Sequence, residues 1–192
     1  MGVVTQTTPE ELEKVGGRKG VLPMTAVWVI KALGLHKCRG CVCGNFQRKS
    51  PTEQVWTAQA ETGSVMSGLR YSQIQRWKAS KLDVKRAFMY APLPEDTVIV
   101  VRPPKIWEDL GVVAPGTLRT LRRAVYGLRC APRAWGTYRD SKLRELTWTA
   151  GNDTYWLEQC KSDGQVWMIR KKGDSMLYGL MLVYVDGFFV DQ

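Results

Sequence analysis

Leu182-Val183-Tyr184-Val185-Asp186-Gly187-Phe188-Phe189-Val190 sets one aspartate at a tight turn between two apolar runs. An antiparallel hairpin holds a carboxylate rigidly at its tip, a good place to bind a metal ion. Asp-Gly is among the best two-residue hairpin loops, because glycine accepts positive φ at no steric cost. The reading therefore gives Gly187 the positive φ of this turn.

Working outward, further strands are expected at 154–158, 165–171 and 176–186, with Gly173-Asp174 turning between the last two. Ala131–Trp148 carries Pro132 in its first turn and Trp135, Tyr138, Leu143 and Leu146 at helical spacing, which predicts a helix. Thr97–Arg102 is a β-branched run stopped by Pro103-Pro104, hence a strand. Met66, Leu69, Ile74 and Trp77 fall on one face, which predicts an amphipathic helix over 64–77. A short strand near 79–84 follows it and delivers Asp83 at its end. Residues 24–34 and 37–46 read as two strands joined at Gly34, and 50–63 as loop. Residues 1–22 are polar and glycine-punctuated and are expected to wander over a surface. The sum is an α+β fold with a mostly antiparallel sheet and packed helices.

Composition narrows the function. The chain has 192 residues, enough for one sizeable core, with ordinary apolar (44%) and charged (24%) content. A formal net charge of +10 points to a polyanionic partner, most often nucleic acid. Five cysteines, an odd number, make no complete disulfide framework, and the N-terminus resembles no secretory signal. The apolar stretches Val27–Leu35 and Met176–Val190 are broken by Lys31 and by Gly179 and Asp186, so neither reads as a membrane span. A cytoplasmic or nuclear location is expected. The tryptophans Trp28, Trp77, Trp135, Trp148 and Trp167 sit where a core or helix face would use them.

Two aspartates stand out: Asp186, and Asp83 in Leu82-Asp83-Val84-Lys85-Arg86-Ala87-Phe88. Each follows an apolar strand that would hold its carboxylate still. Brought together on one sheet, such a pair can bind divalent magnesium and support in-line nucleotidyl transfer. Taken singly, each is an ordinary turn-capping residue, and spacing alone does not show that the two meet.

The ordered set of segments resembles the reverse transcriptase domain of copia-type retrotransposon polyproteins over about residues 21–190. Trp28-Val29-Ile30-Lys31, Lys37-Cys38-Arg39 and Gly44-Asn45-Phe46-Gln47 resemble that family's first fingers hairpin. Leu82–Phe88 looks like its first catalytic motif, and Val101-Arg102-Pro103-Pro104 like the segment after it. Leu121 through Trp135, LRRAVYGLRCAPRAW, is similar to its long leucine-tyrosine-glycine-leucine…alanine-proline-arginine-tryptophan signature. Tyr184-Val185-Asp186 looks like its second catalytic motif.

The resemblance implies a polymerase palm with fingers elements over 21–192, after a flexible segment 1–20. It implies RNA-directed DNA polymerase activity with two Mg2+ (or Mn2+) ions, a deoxynucleoside triphosphate, and an RNA template or RNA–DNA hybrid as partners. Asp83 and Asp186 would be catalytic metal ligands beside the Val84 carbonyl. Phe88 would be the steric gate under the incoming sugar. Lys37 and Arg39 would face the triphosphate, and Tyr126 and Gly127 would floor the nucleotide pocket. Arg119, Arg122, Arg123, Arg129 and Arg133 would contact backbone phosphates, which carry affinity without sequence information.

The chain also departs from the family pattern. Gly187 stands where the second motif has another aspartate, and Cys43 and Cys130 replace an arginine and a glutamine. Asp191 would lie about 13 Å down the return strand, out of ligand range. A thumb and a ribonuclease H domain are expected further on in the family, and none is expected within these residues. Impaired or absent polymerase activity is expected, with a non-catalytic nucleic-acid-binding remnant as the alternative. His36, Cys38, Cys41 and Cys43 have the density of a zinc site, yet strand alternation would put Cys38 and Cys41 on opposite faces.

Overall fold

The structure, a computed structural model, describes residues 2–48, 55 and 58–191. In chain order the first elements are β1 (Val4–Gln6), α1 (Pro9–Lys14), β2 (Leu22–Ile30), β3 (His36–Val42), α2 (Thr62–Ile74) and β4 (Ala79–Asp83). They are followed by β5 (Val100–Arg102), α3 (Lys105–Asp109), β6 (Arg119–Leu121) and α4 (Ala131–Glu145). The chain closes with β7 (Thr147–Ala150), β8 (Asp153–Gln159), β9 (Val166–Lys171), β10 (Gly179–Tyr184) and β11 (Gly187–Asp191). Two compact units result, residues 1–55 with 88–135 and residues 56–87 with 136–192. The α+β class with mostly antiparallel pairing is as expected, and β2–β5 is the parallel exception. Half of the loop expected over 50–63 lies outside the described residues, and α2 takes up its last two, Thr62 and Gly63. Among the described residues no helix is long and apolar enough to cross a membrane.

The second unit is a six-stranded antiparallel sheet ordered β4-β11-β10-β9-β8-β7. Its central strand β10, Gly-Leu-Met-Leu-Val-Tyr, is buried on both faces, which is why it reads as a continuous apolar run rather than an alternating one. Met181 and Val183 point into a core with Leu157, Trp167, Ile169 and Phe188, which Leu143, Trp148 and Tyr178 flank. Leu180 and Leu182 point the other way, against Gly68 of α2. Each such buried aliphatic side chain contributes about 1.5–3 kcal/mol.

Helix α2 corrects the amphipathic reading. Met66 and Ile74 are 50% and 75% exposed, and the residues this helix buries are Gly68 and Ser72. Small residues let the helix backbone lie close on the apolar sheet. The Ser72 hydroxyl satisfies itself by donating to the Gly68 carbonyl at 2.9 Å. Helix α4 stops at Glu145, short of the expected Trp148, and that tryptophan instead stacks on Tyr155 from β7. Two strands of the first unit are also shorter than expected: β5 begins only at Val100, and β2 ends at Ile30 ahead of a 3-10 turn at Ala32–Gly34.

The first unit holds a five-stranded sheet ordered β1-β6-β5-β2-β3. The β2–β3 hairpin pairs from Met24–Val42 to Ile30–His36, and Trp28 on it is 54% exposed rather than in a core. The segment expected to wander carries defined elements. Its β1 pairs with β6, and α1 has a capping box in which Thr8 and Glu11 exchange side chain to backbone hydrogen bonds. The Glu11 carboxylate also accepts from the Thr120 hydroxyl at 2.7 Å and from Arg122 at 2.5 Å. Polar composition misled here, because the apolar residues of this segment are few while its anchoring is by hydrogen bonds and charge.

Candidate active site

Both carboxylates arrive at one end of the second sheet. Strand β4 pairs with β11 so that Asp83 lies directly opposite Gly187, and the Val84 N–H donates to the Asp186 carbonyl at 2.9 Å. Asp83, the last residue of β4, therefore lies beside the β10–β11 turn that carries Asp186, with Asp83 exposed and Asp186 half-buried. Asp191 pairs with Ala79 at the far end of β4, so it does not join them.

The turn itself differs from the expected one. Tyr184 pairs with Gly187, which leaves Val185-Asp186 as the two-residue loop and places Gly187 in β11. The positive φ falls on Val185, at +54°, and not on Gly187. Positive φ at the first loop position is what the twist of a two-residue hairpin favours. A β-branched residue there costs about 1–3 kcal/mol, so the surroundings must hold it.

Gly187 leaves the pair without a third carboxylate. A Cβ built there would meet the Tyr184 and Leu82 carbonyl oxygens at 3.4 and 3.9 Å, ordinary contact distances, so a side chain would fit. Among the described residues no cluster of three or more His, Cys, Asp or Glu could hold a metal ion. A strand-end carboxylate and a turn carboxylate at one sheet end still offer an all-oxygen donor set, which suits a hard divalent cation.

The first unit gathers the residues expected around a nucleotide. The Arg39 guanidinium lies 5.2 Å from the centre of the Tyr126 ring, and the Phe88 ring meets the same ring edge-on at 5.1 Å. Such contacts fix aromatic planes in place. Lys37 precedes Arg39 by two residues and shares its face of β3. Backbone contact explains Gly127: the Val42 N–H donates to the Tyr126 carbonyl at 2.8 Å, and any Cβ on Gly127 would overlap the Val42 carbonyl oxygen. Gly127 also has φ +89°, a region glycine alone enters freely. Gly44 repeats the close approach, since a Cβ on it would overlap the Gly127 carbonyl oxygen.

The arginines expected on phosphates divide. Arg133 is exposed in the first turn of α4, and Arg119 is half-buried in β6. Arg122 is engaged inside the unit, by the Glu11 carboxylate and by the Thr5 hydroxyl at 3.0 Å. The Arg123 guanidinium donates to the Tyr90 carbonyl at 2.7 Å, and the Arg129 backbone N–H donates to the Gln47 side-chain oxygen at 3.3 Å. In β3, His36 and Cys38 share one face and Cys41 takes the other, and burial pushes the Cys41 thiol up from its usual range.

One residue escaped the sequence reading. Arg139 is 3% exposed, and its guanidinium donates to the Val185 carbonyl at 3.0 Å. Ala131, Trp135, Arg139 and Leu143 recur every four residues along α4. The stripe was therefore visible, with one charge on it.

The Reverse transcriptase (RNA-dependent DNA polymerase) family matches residues 13–190. The chain is 33% identical over 160 residues, 83% of its length, to the Retrovirus-related Pol polyprotein from transposon RE1 of Arabidopsis thaliana. It is 32% identical over the same length to the RE2 polyprotein of that plant, and 27% identical over 180 residues to the TNT 1-94 polyprotein of Nicotiana tabacum. These matches cover 10%, 10% and 12% of the three polyproteins, so the chain spans about a tenth of their length. With its family motifs in order and its two motif aspartates at one end of the same sheet, the chain belongs to the reverse transcriptase family, in the branch carried by copia-type retrotransposon polyproteins.

Proposed function

We propose that this chain forms the nucleotidyl-transfer region of an RNA-directed DNA polymerase, with Asp83 and Asp186 as its cation-binding carboxylates. The observation that carries this reading is the register of β4 on β11, which brings Asp83 at the end of β4 beside the turn that holds Asp186, with the Val84 N–H bonded to the Asp186 carbonyl. Asp83, Asp186 and the Val84 carbonyl would hold divalent magnesium or manganese. Such an ion, when bound, would neutralise the charge that develops on a transferring phosphoryl group. The chain's own residues would do the rest. Lys37 and Arg39, side by side on β3, would take the triphosphate charge. The Phe88 ring, held edge to face on Tyr126, would exclude a 2′-hydroxyl, and Tyr126 and Gly127 would floor the nucleotide pocket. Arg119, Arg129 and Arg133 would contact template or hybrid phosphates, while Arg122 is already committed to Glu11.

The reading includes impaired chemistry, because Gly187 supplies no carboxylate where it faces Asp83. A second reading rests on that same gap together with the net charge of +10: a groove that binds RNA–DNA hybrid without extending it. Hybrid binding and primer extension separate the two. Salt-sensitive binding with Mg2+-dependent extension supports the polymerase reading, and binding without extension supports the second. No hybrid binding even at low salt would remove both.

A further inference from the structure

We propose that Arg139 is the positioning residue of the aspartate turn: its buried guanidinium holds Val185 at positive φ and so fixes where Asp186 presents its carboxylate. This inference rests on the cation-site reading above. Arg139 sits on the buried stripe of α4, with its side chain 2% exposed. Three groups receive its protons. Nη1 donates to the Val185 carbonyl at 3.0 Å, Nη2 to the Gln165 side-chain oxygen at 2.5 Å, and Nε to the Asp140 carboxylate at 2.8 Å.

Each partner ties the guanidinium to the hairpin. Gln165 is itself buried, and its backbone carbonyl accepts the Val183 N–H at 2.9 Å, two residues before the turn. Its own N–H donates to Asp163 at 2.9 Å, which keeps it from moving. Asp140 balances the charge that burial would otherwise make costly. The planar fork thus spans helix, strand start and hairpin tip at once, a task a flexible ammonium performs poorly. Val185 is one of three non-glycine residues at positive φ among those described, and it is β-branched, so the turn needs such a hold.

The test measures Mn2+ affinity, by the electron spin resonance of free Mn2+, for the unaltered chain, Arg139→Met and Arg139→Lys, with circular dichroism to confirm folding. Amide nitrogen and proton shifts of Val185, Asp186 and Gly187 are recorded alongside. The expected result is affinity at least tenfold weaker in both variants, with shift changes concentrated at those three residues. Arg139→Lys keeps a buried positive charge beside Asp140, so it tests the fork where Arg139→Met fails to fold. A folded Arg139→Lys chain with unchanged affinity and unchanged turn shifts would overturn the proposal. An unaltered chain that binds no Mn2+ would overturn the cation-site reading itself, and the positioning role with it.

Discussion

Restoring a carboxylate at position 187 is the perturbation that bears most directly on why this site should be weak. In Gly187→Asp the new side chain starts from a Cβ that meets only the Tyr184 and Leu82 carbonyl oxygens at 3.4 and 3.9 Å, and Gly187 does not occupy the left-handed region. The backbone therefore accepts it. Without metal, the introduced carboxylate and that of Asp83 are like charges directly opposite each other, which disfavours the fold by up to about 1 kcal/mol. Removing a strand glycine returns about 0.5–1 kcal/mol of chain entropy, so net stability changes little. A divalent cation about 4 Å from one further carboxylate gains about 2 kcal/mol even at the dielectric of water. That corresponds to a dissociation constant about thirtyfold lower. Titration of Mn2+ into both chains reads the affinity, and urea unfolding without metal reads the stability. An unchanged dissociation constant in a folded variant would refute the reasoning, since it would mean that position 187 does not face the cation.

Other outcomes follow from the same structure. Gly127→Ala should cost about 3 kcal/mol or more in urea unfolding, because its Cβ meets the Val42 backbone at positive φ. Gly111→Ala, equally left-handed at φ +69° but with open space around it, should cost only about 1–2 kcal/mol. Gly68→Ala should raise stability by about 0.5–1 kcal/mol, since its Cβ would meet Leu182 at an ordinary 3.4 Å and a helix-interior glycine is lost. The Thr8 N–H, with Thr120 and Arg122, holds the Glu11 carboxyl below the usual carboxylate range despite partial burial. Its contribution is complete above the ordinary glutamate pKa and is lost as pH falls through the depressed one. Glu11→Gln should therefore flatten the acid side of the stability profile and leave its shape at higher pH unchanged.

What the sequence made legible followed from strong local signals. The apolar run of β10, the Gly173-Asp174 turn and the proline-started α4 each carry their own periodicity or punctuation, and the strands and helix formed close to where they were read. The pairing of Asp83 with the hairpin was beyond local reading, because β4 and β11 are far apart in sequence and register is a tertiary property. The failures have physical causes as well. Apolar side chains at helical spacing suggested that α2 buries Met66 and Ile74, whereas close packing on Leu180 and Leu182 selected its smallest residues. Glycine's freedom suggested a turn at Asp186-Gly187, but the Tyr184–Gly187 register puts the positive φ on Val185, whose carbonyl accepts from a buried arginine. The N-terminal segment was judged by polarity, and polarity is what anchors it, through Glu11.

The central claim is that Asp83 and Asp186 make one cation site. A double-mutant cycle on Mn2+ affinity tests it most directly, with Asp83→Asn, Asp186→Asn and the double variant, each checked for folding. One shared site predicts that either substitution alone removes nearly all the binding that the double variant removes, a strong departure from additivity. Additive losses, or a single variant that binds as the unaltered chain does, would show that the two carboxylates at this sheet end do not share an ion.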